Sequence, residues 1–521
     1  MPRLFLALLF LIAFLSACAS PPPPRKDVVI GLVGEPASVF ADDPGARVLA
    51  AAVTEPLVAL DARGELVPRL AAEVPTMENG ELRVVTDATG VPRLVATFRL
   101  RDDLRWQDGV SITAEDVRFA HDQDLTSATG TVTRWLADRI ESVDVIDDHF
   151  VRVTYRADER WDAYALGPRV LPRHILATAD AKARAAYDRE PVHAGPFSVA
   201  AWVAGYGVTL AAFKDHVGGA PALGRIEVRF FRDRDAILDA LRRGVIDVAP
   251  APDLEADLAH TLDRFGDANG MDVLYTASDA LEVMRFATRG PFAEHAVRKA
   301  VELTVDRQAL VDDIFAGRAR VPRTYLVPPL WASAETGSAV RPDLAAARQI
   351  LADAGWKKGT FGILERDGVR MTVTLEVAAG STARLDAARR IAGDLAAVGI
   401  AASVHSRAVA DLETHIATGD FDLALVPELA DDPMRATERW TGLGDGWFDV
   451  LAAAARRASG RDEKRQLYAE LQRIWSDDLP GLPVYQRLRV DVAARALTGV
   501  QVPPTDAPLT WNAASWRFEN P

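Results

Sequence analysis

Between residues 98 and 117 the chain reads Phe98-Arg99-Leu100-Arg101, Leu104-Arg105-Trp106, Asp108-Gly109 and Thr113-Ala114-Glu115-Asp116-Val117. The run leading in, Val95-Ala96-Thr97-Phe98-Arg99-Leu100, alternates side-chain polarity and predicts a strand with one buried face. Thr113 with Asp116 has the spacing of a capping box, which predicts a helix continuing through Val117 and Phe119. Downstream, Val143-Asp144-Val145-Ile146 and Val151-Arg152-Val153-Thr154-Tyr155 flank a turn at Asp147-Asp148, so residues from about 55 to 180 read as β-rich.

On both sides of this region the grammar changes. Val28-Val29-Ile30-Gly31-Leu32-Val33 reads as a buried strand entering a loop at Glu35-Pro36. From about 195 strands and helices alternate. Ile226 to Phe231 is a predicted strand; Asp233 caps a helix burying Ile237, Leu238 and Leu241, stopped by Gly244, and Ile246 to Ala249 is the next strand. Asp306 starts a helix ending at Gly317, and Asp343 one ending at Gly355. Arg384 to Val398 reads as helix, Ile400 to Val404 and Phe421 to Val426 as strands. The fold class is α/β: two sets of α/β units, the first carrying a β-rich insertion.

A chain of 521 residues with 49% hydrophobic and 26% charged residues has the composition and length of a multi-domain globular protein. Its formal charge of −14 argues against broad nucleic-acid binding, which needs a basic footprint. Cys18 is the single cysteine, which excludes intramolecular disulfides and a thiolate-built metal site.

The N-terminus reads as an export signal. Arg3 precedes the apolar run Leu4 to Phe14, and small residues follow. Leu15-Ser16-Ala17-Cys18 resembles a bacterial lipobox, in which Cys18 receives diacylglycerol after cleavage; a plain signal with an incidental cysteine is the alternative. Residues 1–17 are then the signal peptide and 18–26 a lipidated tether, stiffened by Pro21 to Pro24. The expected location is the cell envelope, periplasmic or extracytoplasmic, with the body lipid-anchored to a membrane.

The opening motifs belong to a longer ordered series. Glu55-Pro56-Leu57-Val58 and Pro68-Arg69-Leu70-Ala71 precede them; Leu171-Pro172-Arg173-His174, Gly195-Pro196-Phe197, Gly218-Gly219-Ala220-Pro221 and Leu241 to Val248 follow. Pro291-Phe292, Val297-Arg298-Lys299-Ala300, Asp306-Arg307, Ala354-Gly355-Trp356 and Leu482-Pro483-Val484-Tyr485 complete it. Across the mature chain this series resembles the extracellular solute-binding proteins of family 5, the dipeptide, oligopeptide and nickel receptors of bacterial ABC importers. The resemblance implies a two-lobed periplasmic-binding-protein-like fold (type II) with an additional β-rich subdomain on the first lobe. The lobe I core would comprise residues 27–50, 180–280 and 487–521, the subdomain 51–179 and lobe II 281–486, with crossings at Leu281 to Phe286 and near Tyr485. It also implies an ABC permease with cytoplasmic ATPases as partner, no resident cofactor, and a monomer.

No constellation for an enzyme is visible: no nucleophile elbow, zinc-protease helix or phosphate loop. The nine histidines are scattered without metal-ligand spacing. Binding residues therefore follow from the resemblance. In peptide receptors an aspartate after the strand matching Phe421 to Val426 meets the ligand's α-amino group; by position that is Asp431, with Asp432 next. A solvated Asp-Asp-Pro turn is the competing reading. Glu35, Ser38, Glu282, Arg285, Trp331, Trp440, Trp447 and Tyr485 are further candidate contacts, the aromatics also being candidates for core packing. Pro427-Glu428 stands where peptide receptors often carry an aromatic pair, and Phe286 replaces the asparagine common at the crossing. The expected function is capture of a short peptide or similar small solute between two lobes. The alternatives are a metal chelate, an opine-like compound or an oligosaccharide on the same fold, or an envelope sensing or assembly lipoprotein.

Overall fold

The computed structural model describes residues 25–519 except 89, 127–136, 157–166, 255–258, 329, 335–339, 431, 443–445, 459–460 and 504–506. The expected signal peptide, Cys18 and Asp431 lie outside the described residues.

One ten-stranded sheet runs through both lobes. Its strands, edge to edge, are Ala401–Arg407, Thr372–Ala378, Leu423–Leu429, Met271–Phe286, Gly481–Ala494, Val248–Leu254, Asp27–Val33, Arg225–Phe231, Gly207–Ala212 and Phe197–Val203. The predicted helices cross over between them. Asp233 caps Arg234–Arg242 by accepting a hydrogen bond from the Ala236 amide, and Asp306 and Asp343 cap Arg307–Phe315 and Leu344–Asp353 in the same way. Gly244, Gly317 and Gly355 follow these helices at positive φ. One predicted strand is shifted: it begins at Val248 and runs to Leu254. Asp247 instead turns its carboxylate to the Val29 amide at 2.8 Å and to both Nη atoms of Arg25 at 2.7 Å.

The β-rich region forms a separate four-stranded antiparallel sheet in the order Leu82–Thr86, Pro92–Arg99, Phe150–Tyr155, Ile140–Val145. The helix Ala114–Thr126 opens with the expected reciprocal contact, the Thr113 amide donating to Asp116 Oδ2 at 2.9 Å. Trp106 is wholly buried here with Phe98 and Tyr155. Gly195 marks the junction with lobe I. Its amide donates to the Val53 carbonyl at 2.8 Å, and a Cβ there would stand 2.2 Å from that carbonyl. Only glycine permits this approach.

Two long antiparallel strands carry the sheet from lobe to lobe. Met271–Phe286 and Gly481–Ala494 pair from Met271↔Ala494 to Ala277↔Leu488, and again from Leu281↔Gln486 to Arg285↔Gly481, with a further one-residue shift between Glu282 and Val283. Between these stretches the register slips at residues 278–280. The first stretch adjoins Val248–Leu254 of lobe I, the second Leu423–Leu429 of lobe II. Buried Gln486 bridges the irregularity, its Nε2 donating to the carbonyls of Ser278 and Pro328 at 2.7 Å each. The sequence places the crossing at Leu281 to Phe286; the slip falls immediately before it.

Candidate functional site

Beside the register slip the lobes leave a cavity of about 480 Å³, within the ~300–1,000 Å³ range of small-molecule sites. Pro44, Arg47, Ala251 and Leu254 face it from lobe I; Phe315, Gly380, Ser381 and Ala383 face it from lobe II. Ser278, Tyr485, Arg487 and Arg489 line it along the crossing strands. Tyr485 fixes the wall, its ring centroid 4.7 Å from that of Phe315.

Two helices begin at this cavity, one from each lobe. Pro44–Val53 is capped by Asp43, whose Oδ1 accepts from the Ala46 amide at 2.8 Å, with proline in its first turn. Thr382–Ala397 is capped by Ser381, whose hydroxyl oxygen accepts from the Arg384 amide at 3.2 Å. Gly380, at φ +96°, makes the turn into it. Helix N-termini carry about half a positive charge each, so both lobes present positive potential to the same space.

The arginines add to it. Arg487 is half-exposed, and its nearest carboxylate is Glu282 at 3.6 Å. Glu282 is fully buried and already engaged: Arg384 donates to its two oxygens from Nε and Nη2, each at 2.8 Å. Arg489 stands 3.7 Å from fully buried Asp491, which also accepts from the Ala251 amide at 2.8 Å. Among the described residues Arg47 pairs with exposed Asp42, at 3.6 Å. Glu282 and Asp491 are thus fully buried, whereas Arg47 and Arg487 are about half-exposed; Arg489 is 10% exposed and also donates to the Ala507 carbonyl. Among the described residues lining the cavity there is no Asp or Glu.

Of the residues expected from sequence, Tyr485 lines this cavity and Glu282 lies behind it, held by Arg384. Arg285 is elsewhere. It pairs with Glu428 through Nη2 at 2.5 Å, stacks over Trp440 at 4.6 Å, and borders with it a second cavity, of about 680 Å³, within lobe II. Glu428 also holds Arg439 at 3.1 Å, so the sequence departure at Pro427-Glu428 forms a charge cluster with Arg285. Trp440 is buried edge-on to Trp475 at 5.2 Å and serves the core. Trp331 packs on Tyr468 under Arg461. Trp447 is half-exposed at the start of the helix Trp447–Arg457, outside the lining.

Glu35 secures a hairpin rather than the cavity. It accepts from Trp202 Nε1 and the Gly205 amide, both at 2.7 Å, and these bonds hold its carboxyl below the usual carboxylate range. Ser38 is half-buried in the loop after it and does not line the cavity. Asp432 caps the helix Pro433–Glu438, its Oδ1 accepting from the amides of Met434 and Arg435 at 2.9 and 3.0 Å.

Sequence reasoning missed Arg47, Ser381, Arg487 and Arg489. A signal existed for two of them. Tyr485, Arg487 and Arg489 alternate along one strand, and period-two spacing places such residues on one face. Among the described residues no group of three or more His, Cys, Asp or Glu is placed to hold a metal ion. No helix among them is long and apolar enough to cross a membrane.

The comparisons agree with this architecture. The Brucella suis protein NikA, solved in complex with Fe(III)-EDTA, superposes with a TM-score of 0.79 at 19% identity, covering 95% of this chain and 100% of that one. Protein XP55 of Streptomyces lividans is 27% identical over 493 residues, 89% of this chain and 86% of its own length. The oligopeptide-binding protein AppA of Bacillus subtilis is 23% identical over 512 residues, 91% of each chain. Residues 65–447 match the profile of the bacterial extracellular solute-binding proteins, family 5 Middle. The two-lobed α/β fold, the cavity between its lobes and this match over most of the chain place the protein in family 5 of the bacterial extracellular solute-binding proteins.

Proposed function

We propose that the protein is the receptor of an ABC importer, capturing a short peptide or similar small solute in the cavity between its lobes. The observation that carries this reading is the position of that cavity: it is lined from both lobes and from the slipped strands that join them. A solute shifts an open–closed equilibrium only through contacts that differ between the two states, and a cavity with walls on both lobes supplies them. The closed, loaded receptor then presents the solute to a permease driven by cytoplasmic ATPases. Asp431 remains the proposed partner of a peptide's α-amino group, on the resemblance to peptide receptors alone.

Native mass spectrometry on protein purified from its own host tests the capture. A carried solute should appear as added mass that is lost on unfolding. Pro44→Trp, which adds an indole at an exposed position of the cavity lining, should abolish that mass. Carriage by the variant at the wild-type level would place the solute elsewhere.

We further propose that Cys18 carries a lipid and holds the body at an envelope membrane. Cys18→Ser should move the protein wholly to the wash after high-salt extraction of membranes. Several acyl chains at ~0.8 kcal/mol per buried methylene anchor a protein stably, and the described residues contain no spanning helix to replace them. Retention of the variant in the membrane fraction would refute the anchor.

A further inference from the structure

We infer that the inter-lobe cavity selects a solute bearing two or more carboxylates, received by Arg47 of lobe I and Arg487 of the crossing strand. This deepens the proposed capture function and rests on it. The chain carries a formal charge of −14, yet the cavity that both lobes share shows three guanidiniums and, among the described lining residues, no carboxylate. That arrangement runs against the protein's overall charge.

The acids nearby do not neutralise it from within. Glu282 and Asp491 are fully buried, each beneath the arginine it faces, and Glu282 is already bound through both oxygens by Arg384. Glu282 approaches Arg487 at its Nε rather than at its terminal nitrogens, and Arg489 also donates from Nη1 to the Ala507 carbonyl. Asp43 is engaged in capping its helix, and Asp42 is exposed. Arg47 and Arg487 are about half-exposed, at 54% and 46%, and among the described residues their ion pairs are the contacts of 3.6 Å already described. Each retains a planar fork of donors that matches a carboxylate in two parallel bonds.

The two forks stand on different parts of the closing machinery. Arg47 lies in the first turns of Pro44–Val53 on lobe I, and Arg487 follows the register slip. The Ser381 end of Thr382–Ala397 completes the field from lobe II. A solute with one carboxylate would satisfy one fork; one with two bridges them and draws the lobes together. An ammonium placed among them would be repelled. The chemistry fits an acidic peptide and also a non-peptide polycarboxylate.

Isothermal titration calorimetry on the full chain distinguishes these sources, with Glu-Ala-Glu, Gln-Ala-Gln and citrate as probes. Glu-Ala-Glu should bind at least tenfold more tightly than Gln-Ala-Gln if the solute is peptidic; citrate should exceed both if it is not. Arg47→Gln and Arg487→Gln should each weaken the tighter probe at least tenfold and weaken Gln-Ala-Gln, whose single C-terminal carboxylate engages one fork, by less. Thermal unfolding should stay at the wild-type temperature, since both side chains are half-exposed. Equal affinity for Glu-Ala-Glu and Gln-Ala-Gln with no effect of either variant overturns the carboxylate inference while leaving solute capture intact. Binding of no probe also overturns it, and capture itself falls only if protein from its own host carries no solute as well.

Discussion

Arg384→Met should be among the most damaging single substitutions in this chain, lowering stability by about 3–5 kcal/mol. Arg384 is 4% exposed and Glu282 is fully buried, and the guanidinium engages both carboxylate oxygens at 2.8 Å. Methionine fills much of the same volume, so little of the loss comes from packing. What remains is a carboxylate at zero exposure whose nearest cation, Arg487, stands 3.6 Å away and half in solvent. The loss arises from stranding one charge, not from the net worth of the pair. Glu282→Leu combined with Arg384→Met should therefore recover most of the stability, because replacing both members of a buried pair by apolar groups is often neutral. Urea denaturation of the wild type, both single variants and the double variant checks this. A loss below about 1 kcal/mol in Arg384→Met would mean that Glu282 draws its support from elsewhere, and that the cavity wall is not organised around this pair.

The same pair shows why the fold was legible in the sequence and the site was not. Element boundaries are written locally. Asp233, Asp306 and Asp343 each cap the helix that follows within three residues, and Gly244, Gly317 and Gly355 end those helices. The strand-and-capped-helix reading around Trp106 needed no information from beyond residues 95–119. The cavity is different. Its walls come from chain segments near 44, 251, 278, 315, 380 and 487, which only the ten-stranded topology brings together.

Several charged candidates lie outside the lining of the inter-lobe cavity, and their partners are remote in sequence. Glu282 is held by a residue 102 positions away, Arg285 by one 143 away and Glu35 by one 167 away. Each reads as an unpaired charge near a loop or crossing until the fold supplies the counter-charge. Trp440 looked available to a ligand and is instead packed against Trp475, because the chain after Leu423–Leu429 folds back over the core as helices. Tyr485 is the candidate that reached the cavity, and the Arg487 and Arg489 alternation beside it was the overlooked clue.

Closure around the register slip is the second large effect expected. The ladder between the two long strands is interrupted at residues 278–280 and shifts again between Glu282 and Val283, which favours rotation of one lobe against the other there. A solute bridging the walls should bring the lobes together by several ångströms while leaving the strands on either side of the slip paired as they are.

Since Cys18 is the single cysteine, two introduced cysteines in a Cys18→Ser background can be spin-labelled without ambiguity. Val203, 56% exposed at a lobe I hairpin, and Phe361, 89% exposed in lobe II, are suitable positions. The decisive measurement is the distance between these labels by double electron–electron resonance, with and without the solute the protein carries from its own host. Solute capture between the lobes predicts a shorter, narrower distance distribution when the solute is bound and no change in the Pro44→Trp variant. An unchanged distance at saturating solute, with binding confirmed by calorimetry on the same sample, would contradict it.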